Sequence, residues 1–147
     1  MKKLVKRLGC LLLFVLLCTG GSHVLAQEDP GYVYDKLYVQ AEVNDKREVH
    51  ITETMDIDFT KAMHGIVRTI PQASSVESYR IQDIKVSGMP FTLDYVSNAI
   101  DVKIGDANQT VTGKKRITLS YTLRHYQDYD EDNDYLYLNL LGTDYDT

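Results

Sequence analysis

A period of two governs this chain from Leu37 onward, and a period of 3.6 is nearly absent. Leu37, Val39, Ala41 and Val43 alternate with Tyr38, Gln40 and Glu42, and Asn44-Asp45-Lys46 follows as a tight turn. Val49, Ile51, Met55, Ile57 and Phe59 then alternate with His50, Thr52, Thr54, Asp56 and Asp58. The two runs predict a hairpin with one face buried. Phe91, Leu93 and Tyr95, the turn Ser97-Asn98, and Ile100, Val102 and Ile104 predict a second hairpin. Between them, Ile66, Arg68 and Ile70 share one strand face within His64–Pro71, and Tyr79–Val86 predicts a strand whose broken alternation marks a bulge or kink.

The cleanest strand is Ile117–His125, with Ile117, Leu119, Tyr121 and Leu123 facing one way and Arg116, Thr118, Ser120, Thr122 and Arg124 the other. Tyr135–Leu141 is apolar on both faces, the pattern of a central or doubly covered strand. About seven short strands, with turn signals roughly every ten residues, predict an all-β fold, an antiparallel β-sandwich immunoglobulin-like in general architecture. Gln27–Gly31 is a short polar lead-in and Gln72–Glu77 a loop after Pro71. No internal repeat, low-complexity tract or linker divides residues 27–147, which read as a single domain.

The first 26 residues follow a different rule. Lys2, Lys3, Lys6 and Arg7 precede an uncharged, Leu-rich run from Leu8 to Cys18; Gly20 and Gly21 break it, and Val24-Leu25-Ala26 sets small residues before Gln27. That order predicts a helical signal peptide over 1–26, cleaved before Gln27. The apolar core is too short to remain as a membrane span, which needs about 20 residues. A lipid-modified Cys18 would need a small residue where Leu17 stands. The protein is therefore expected outside the cytoplasm, secreted or anchored at the cell surface, and the short Lys-rich leader has a bacterial look.

Processing changes the charge. The chain carries 16 Lys and Arg against 21 Asp and Glu, and removing the leader's four cations leaves 12 against 21, a net charge near −9. Such a surface repels nucleic acid and anionic lipid, so neither is an expected partner. Both cysteines, Cys10 and Cys18, lie in the leader, so the processed domain has no disulfide, thiol nucleophile or thiolate metal site.

Glu53 breaks the pattern of its own strand. It occupies an inward position flanked by Ile51 and Met55, where an ionised carboxylate costs several kcal/mol unless paired and hydrogen-bonded. Arg68, inward between Ile66 and Ile70, is the nearest candidate partner. Either the two form a buried bidentate pair that fixes the register of the third segment against the second, or the strand twists or bulges and Glu53 reaches water at an edge. No second acid or histidine is spaced to make Glu53 catalytic, and an enzyme is not expected.

Asp128, Asp130, Asp132 and Asp134 alternate as in a calcium loop, but Asn133 and Asn139 stand where an EF-hand needs Gly and Glu. The loop reads as a solvated tip or, alternatively, as the calcium or ligand site of a small secreted module. His50, His64 and His125 have no metal spacing, no phosphate-cradling glycine loop is present, and no cofactor is expected. Asn108-Gln109-Thr110 is a formal glycosylation sequon, expected to be incidental given the bacterial look of the leader. The eleven tyrosines, with no tryptophan, read as half-buried packing at strand edges or as a sugar- or peptide-binding face.

Several stretches together resemble the N-terminal exported domain of the DUF2207 membrane proteins, a domain of unknown function. They are the Tyr34–Val43 strand, Val49-x-Ile51-x-Glu53 leading to Phe59, and Gly65-Ile66-x-Arg68-x-Ile70-Pro71. Ile104-Gly105-Asp106 follows, then Gly113 with Ile117-Thr118-Leu119-Ser120-Tyr121, then Asp134-x-Leu136-Tyr137-x-Asn139 with Gly142-Thr143-Asp144. Tyr137 and Tyr145 stand where the family often shows Trp. The resemblance implies that membrane-spanning helices follow the β domain, so any anchoring runs through helices beyond Thr147, and that the domain is incomplete at its C-terminus, with an open sheet edge. Together these readings predict a non-enzymatic extracytoplasmic module of an envelope membrane protein, whose partner is an envelope protein or a glycan.

Overall fold

A computed structural model describes residues 29–46, 48–73 and 78–125. Those residues form seven strands and no helix: β1 (Tyr32–Val43), β2 (Glu48–Met63), β3 (Gly65–Pro71), β4 (Tyr79–Ser87), β5 (Phe91–Val96), β6 (Ala99–Gly105) and β7 (Val111–His125). They assemble into two antiparallel sheets, one ordered β1-β2-β7-β4 and the other β3-β6-β5. The expected helical leader and the expected strand over Tyr135–Leu141 lie outside the described residues.

Local chemistry closes both predicted hairpins. At the β1–β2 turn the Asn44 side-chain oxygen accepts from the backbone N–H groups of Lys46 and Glu48, each at 2.9 Å, so one side chain does the work of a turn's backbone. At the β5–β6 turn Val96 pairs with Ala99, which leaves two residues for the reversal. Asn98 there takes the left-handed conformation, φ 58°, which Asn tolerates better than most residues. The irregularity expected in Tyr79–Val86 falls between Gln82 and Lys85 of β4, where Asp83 has φ 55° and the register with β7 shifts.

The strand alternation translates into burial along β2, where every odd residue from Val49 to Phe59 is buried. Its register sets Met55 opposite Leu37 on one side and Ile117 on the other. Buried residues of both sheets form one core cluster: Met55, Ile57, Phe59 and Leu119 from the larger sheet, Ile70, Ile100, Val102 and Ile104 from the smaller. β7 begins at Val111, six residues before the pattern announces it, because Thr112–Arg116 are polar or Gly and carry no apolar period. What makes them a strand is pairing with β2, from Phe59 opposite Gly113 to Asp56 opposite Arg116. Asp56 and Arg116 also hold each other by two hydrogen bonds of 2.6 and 2.7 Å.

Candidate functional site

The buried faces of the two sheets meet at one polar cluster. Glu53 from β2 has no exposed surface and Arg68 from β3 is 6% exposed. Arg68 Nε donates to Glu53 Oε2 at 2.9 Å and Arg68 Nη2 to Glu53 Oε1 at 3.2 Å, the planar fork matching the carboxylate. The third guanidinium nitrogen, Nη1, donates to the Thr69 carbonyl at 2.9 Å. Tyr121 from β7 donates its hydroxyl to Glu53 Oε1 at 2.9 Å. Of the two sequence alternatives for Glu53, the structure has the buried bidentate pair. It joins the larger sheet to the smaller instead of fixing a register between paired strands, because β3 pairs with β6 and not with β2.

Tyr121 is the member of this cluster that pattern reading leaves unassigned. It stands opposite Ile51 in the β2–β7 register, two residues from Glu53 and on the same inward face, which brings its hydroxyl within reach of the acid. Tyr34 lies near the same charges. Burial, the largest cause, pushes its hydroxyl up to about 12; Tyr32 and Glu53 push the same way and Arg68 opposes them. Tyr32 meets Tyr34 edge to face at a centroid separation of 5.7 Å. Chemically the cluster is a clamp: both Glu53 oxygens are taken by donors of the protein itself.

The two motif glycines of β3 and β6 make a close backbone contact. Gly65 pairs with Gly105, with φ of 132° and 143°. A Cβ on Gly65 would lie 1.9 Å from the Ile104 carbonyl oxygen, and one on Gly105 would lie 1.9 Å from that of His64. The adjoining loop is tied down locally: Asp106 N–H donates to the His64 carbonyl at 3.0 Å, and the Asp106 carboxylate accepts from Asn108 N–H at 2.8 Å. His64 Nδ1 lies 3.2 Å from the carbonyl oxygens of both Asp106 and Gln109, so that nitrogen carries the proton. Beside this junction an open cleft of about 720 Å³ is lined mostly by apolar groups, among them Met63, Ile66 and Phe91, and also by His64, Lys103 and Asp106. Lys103 is engaged by Asp94 at 2.8 Å.

The other motif positions divide in two. Ile70 is buried, Pro71 ends β3 opposite Ala99, and Gly113 lies in β7 with φ 69° and open space around it. Tyr137, Asn139, Gly142 and the acidic positions Asp128, Asp130, Asp132 and Asp134 lie outside the described residues. Among the described residues no group of three or more His, Cys, Asp or Glu is placed to hold a metal ion. No helix among them is long and apolar enough to cross a membrane.

The described residues, all-β in two antiparallel sheets clamped by a buried Glu–Arg–Tyr cluster and with motif glycines at one strand junction, define the class. The family model described as the predicted membrane protein (DUF2207) N-terminal domain matches residues 34–147, and the chain belongs to that family. The match takes in every strand but the first two residues of β1. No curated protein and no solved structure matches the chain.

Proposed function

We propose that this chain is exported by its leader, cleaved before Gln27, and works outside the cytoplasm as a non-enzymatic interaction module of an envelope membrane protein. In this reading the two sheets form a β-sandwich of immunoglobulin-like general architecture, and anchoring is supplied by helices beyond Thr147. The observation that carries the proposal is family membership, since the matched domain is the N-terminal part of a predicted membrane protein. The basic, apolar and small-residue order of the first 26 residues supports the exported side. An enzyme built on Glu53 is disfavoured because Arg68 and Tyr121 already occupy both carboxylate oxygens, and a general base needs one turned toward substrate. A fusion of the full chain to alkaline phosphatase, active only outside the cytoplasm, tests the location; an inactive fusion beside an active cytoplasmic β-galactosidase fusion rejects it.

A second reading keeps the export and makes the protein a calcium- or ligand-binding module through Asp128–Asp134, on the strength of the alternating acids there. Calorimetric titration of calcium into the full chain separates the two, since the interaction module takes up no calcium heat.

A further inference from the structure

The outward face of the larger sheet changes character along its strands. One row across it, Lys36–Asp56–Arg116, is fully charged, and so is the row Glu48–Arg124–Arg80 near its other end. Between them lie three rows of a different kind. Tyr38, Thr54, Thr118 and Ser87 stand side by side across all four strands. Gln40, Thr52, Ser120 and Lys85 form the next row, and Glu42, His50, Thr122 and Gln82 the third. With rows about 6.8 Å apart and strands about 4.8 Å apart, the field is roughly 14 Å on a side.

Threonine is ordinary in a strand. The absence of long charged side chains from the middle of a solvated face is less so, in a domain whose processed form carries a net charge near −9. Only Glu42 and Lys85, on the two outer strands, bring fixed charge into the field, and Glu42 accepts the Gln40 amide at 2.7 Å. The remaining groups are hydroxyls, amides and an imidazole, and all but the aromatic ones combine donor and acceptor in a compact head. Tyr38 is 56% exposed at one border and offers a flat ring beside them.

We infer that this field is a docking surface for an uncharged glycan chain. A sugar polymer presents hydroxyls that donate and accept in alternation, which a grid of Thr, Ser and Gln can answer, and the C–H face of a pyranose packs on an aromatic ring such as Tyr38. The hydroxyls select against an apolar partner. An apolar protein face would bury these hydroxyls unpaired, at a cost for each. The inference deepens the extracytoplasmic reading proposed above and rests on it for access to such a polymer.

The test is titration of chitohexaose, an uncharged hexasaccharide, into the isotope-labelled full chain, followed by amide chemical shifts. Saturable shifts are expected at Tyr38, Gln40, Thr52, Thr54, Thr118 and Ser120. Tyr38→Ala should weaken binding about tenfold, equivalent to about 1.4 kcal/mol. Thr118→Lys, which puts a charge in the centre of the field, should abolish the shifts while the melting temperature stays within a few degrees. Thr54→Val, which keeps shape and removes one hydroxyl, should weaken binding with the fold intact. No saturable shift up to about 10 mM, shifts confined to other surfaces, or unchanged binding in Thr118→Lys and Tyr38→Ala would each overturn the glycan surface. Failure of the titration with an active phosphatase fusion removes this inference alone; a cytoplasmic result from the fusions removes the proposed function itself.

Discussion

A carboxylate with no exposed surface has most to lose when one of its partners is removed. Glu53→Ala removes the carboxylate to which the buried Arg68 guanidinium donates twice, and Arg68→Ala removes that fork from the buried carboxylate, so each should cost about 3–5 kcal/mol in urea denaturation. Replacing both by methionine removes the two charges together and fills similar volume, so E53M/R68M should recover most of that loss. Tyr121→Phe deletes the hydrogen bond to the buried Glu53 carboxylate and should cost about 1–3 kcal/mol. If E53A is as stable as the parent chain, the clamp does not hold the sheets. Tyr34 gives this region a pH signature. Its hydroxyl ionises near 12 in the folded chain and near 10 when unfolded. The folded value is the higher, so stability is fully present below about pH 10 and falls as pH rises toward 12. After discounting for partial exposure the fall attributable to Tyr34 is about 1–2 kcal/mol. Tyr34→Phe should remove that part of the alkaline loss, read as a smaller drop in melting temperature between pH 9 and 11.5 than in the parent.

At the level of strands and turns, the glycines of the β3–β6 junction separate steric need from conformational preference. In Gly65→Ala or Gly105→Ala the new methyl meets a backbone carbonyl oxygen at 1.9 Å, which cannot swing away as a side chain could. Both substitutions should therefore shift the β3–β6 pairing and destabilise by several kcal/mol. Gly113→Ala, with open space around the same methyl, should cost only the roughly 1 kcal/mol of a left-handed alanine. Equal effects at the three positions would show that the close approach to a carbonyl oxygen does not set the cost. The same junction marks where sequence reading stops. Hairpin turns at Asn44 and Asn98, the buried row of β2 and the bulge in β4 were legible because each is written within a few neighbouring residues. Glu53 and Arg68 could be matched because a charge in an apolar row demands a partner and few were available. Tyr121 as the third member, and β7 from Val111 to Arg116, depend on register between strands some 60 residues apart. No local period records that distance. The placement of the two glycines against each other was hidden for the same reason, since each is ordinary in its own strand.

For the whole molecule, the position of the clamp bears on cooperativity. Glu53 and Tyr121 belong to the larger sheet and Arg68 to the smaller, and buried residues of both enter one cluster. Neither sheet can lose its partner without exposing part of that cluster and stripping Glu53 of its arginine. The two sheets should thus unfold together: far-UV circular dichroism, which follows backbone pairing, and tyrosine fluorescence, which follows the surroundings of all the tyrosines, should give one coincident urea transition. In E53M/R68M the hydrophobic cluster persists while the directional link is gone. If that link enforces the joint transition, the double variant should keep most of its stability but show a lower dependence on urea concentration or two separated midpoints. Coincident, equally steep transitions in the variant would assign the coupling to apolar packing alone, leaving the ion pair to set how β3 of the smaller sheet faces β2 of the larger.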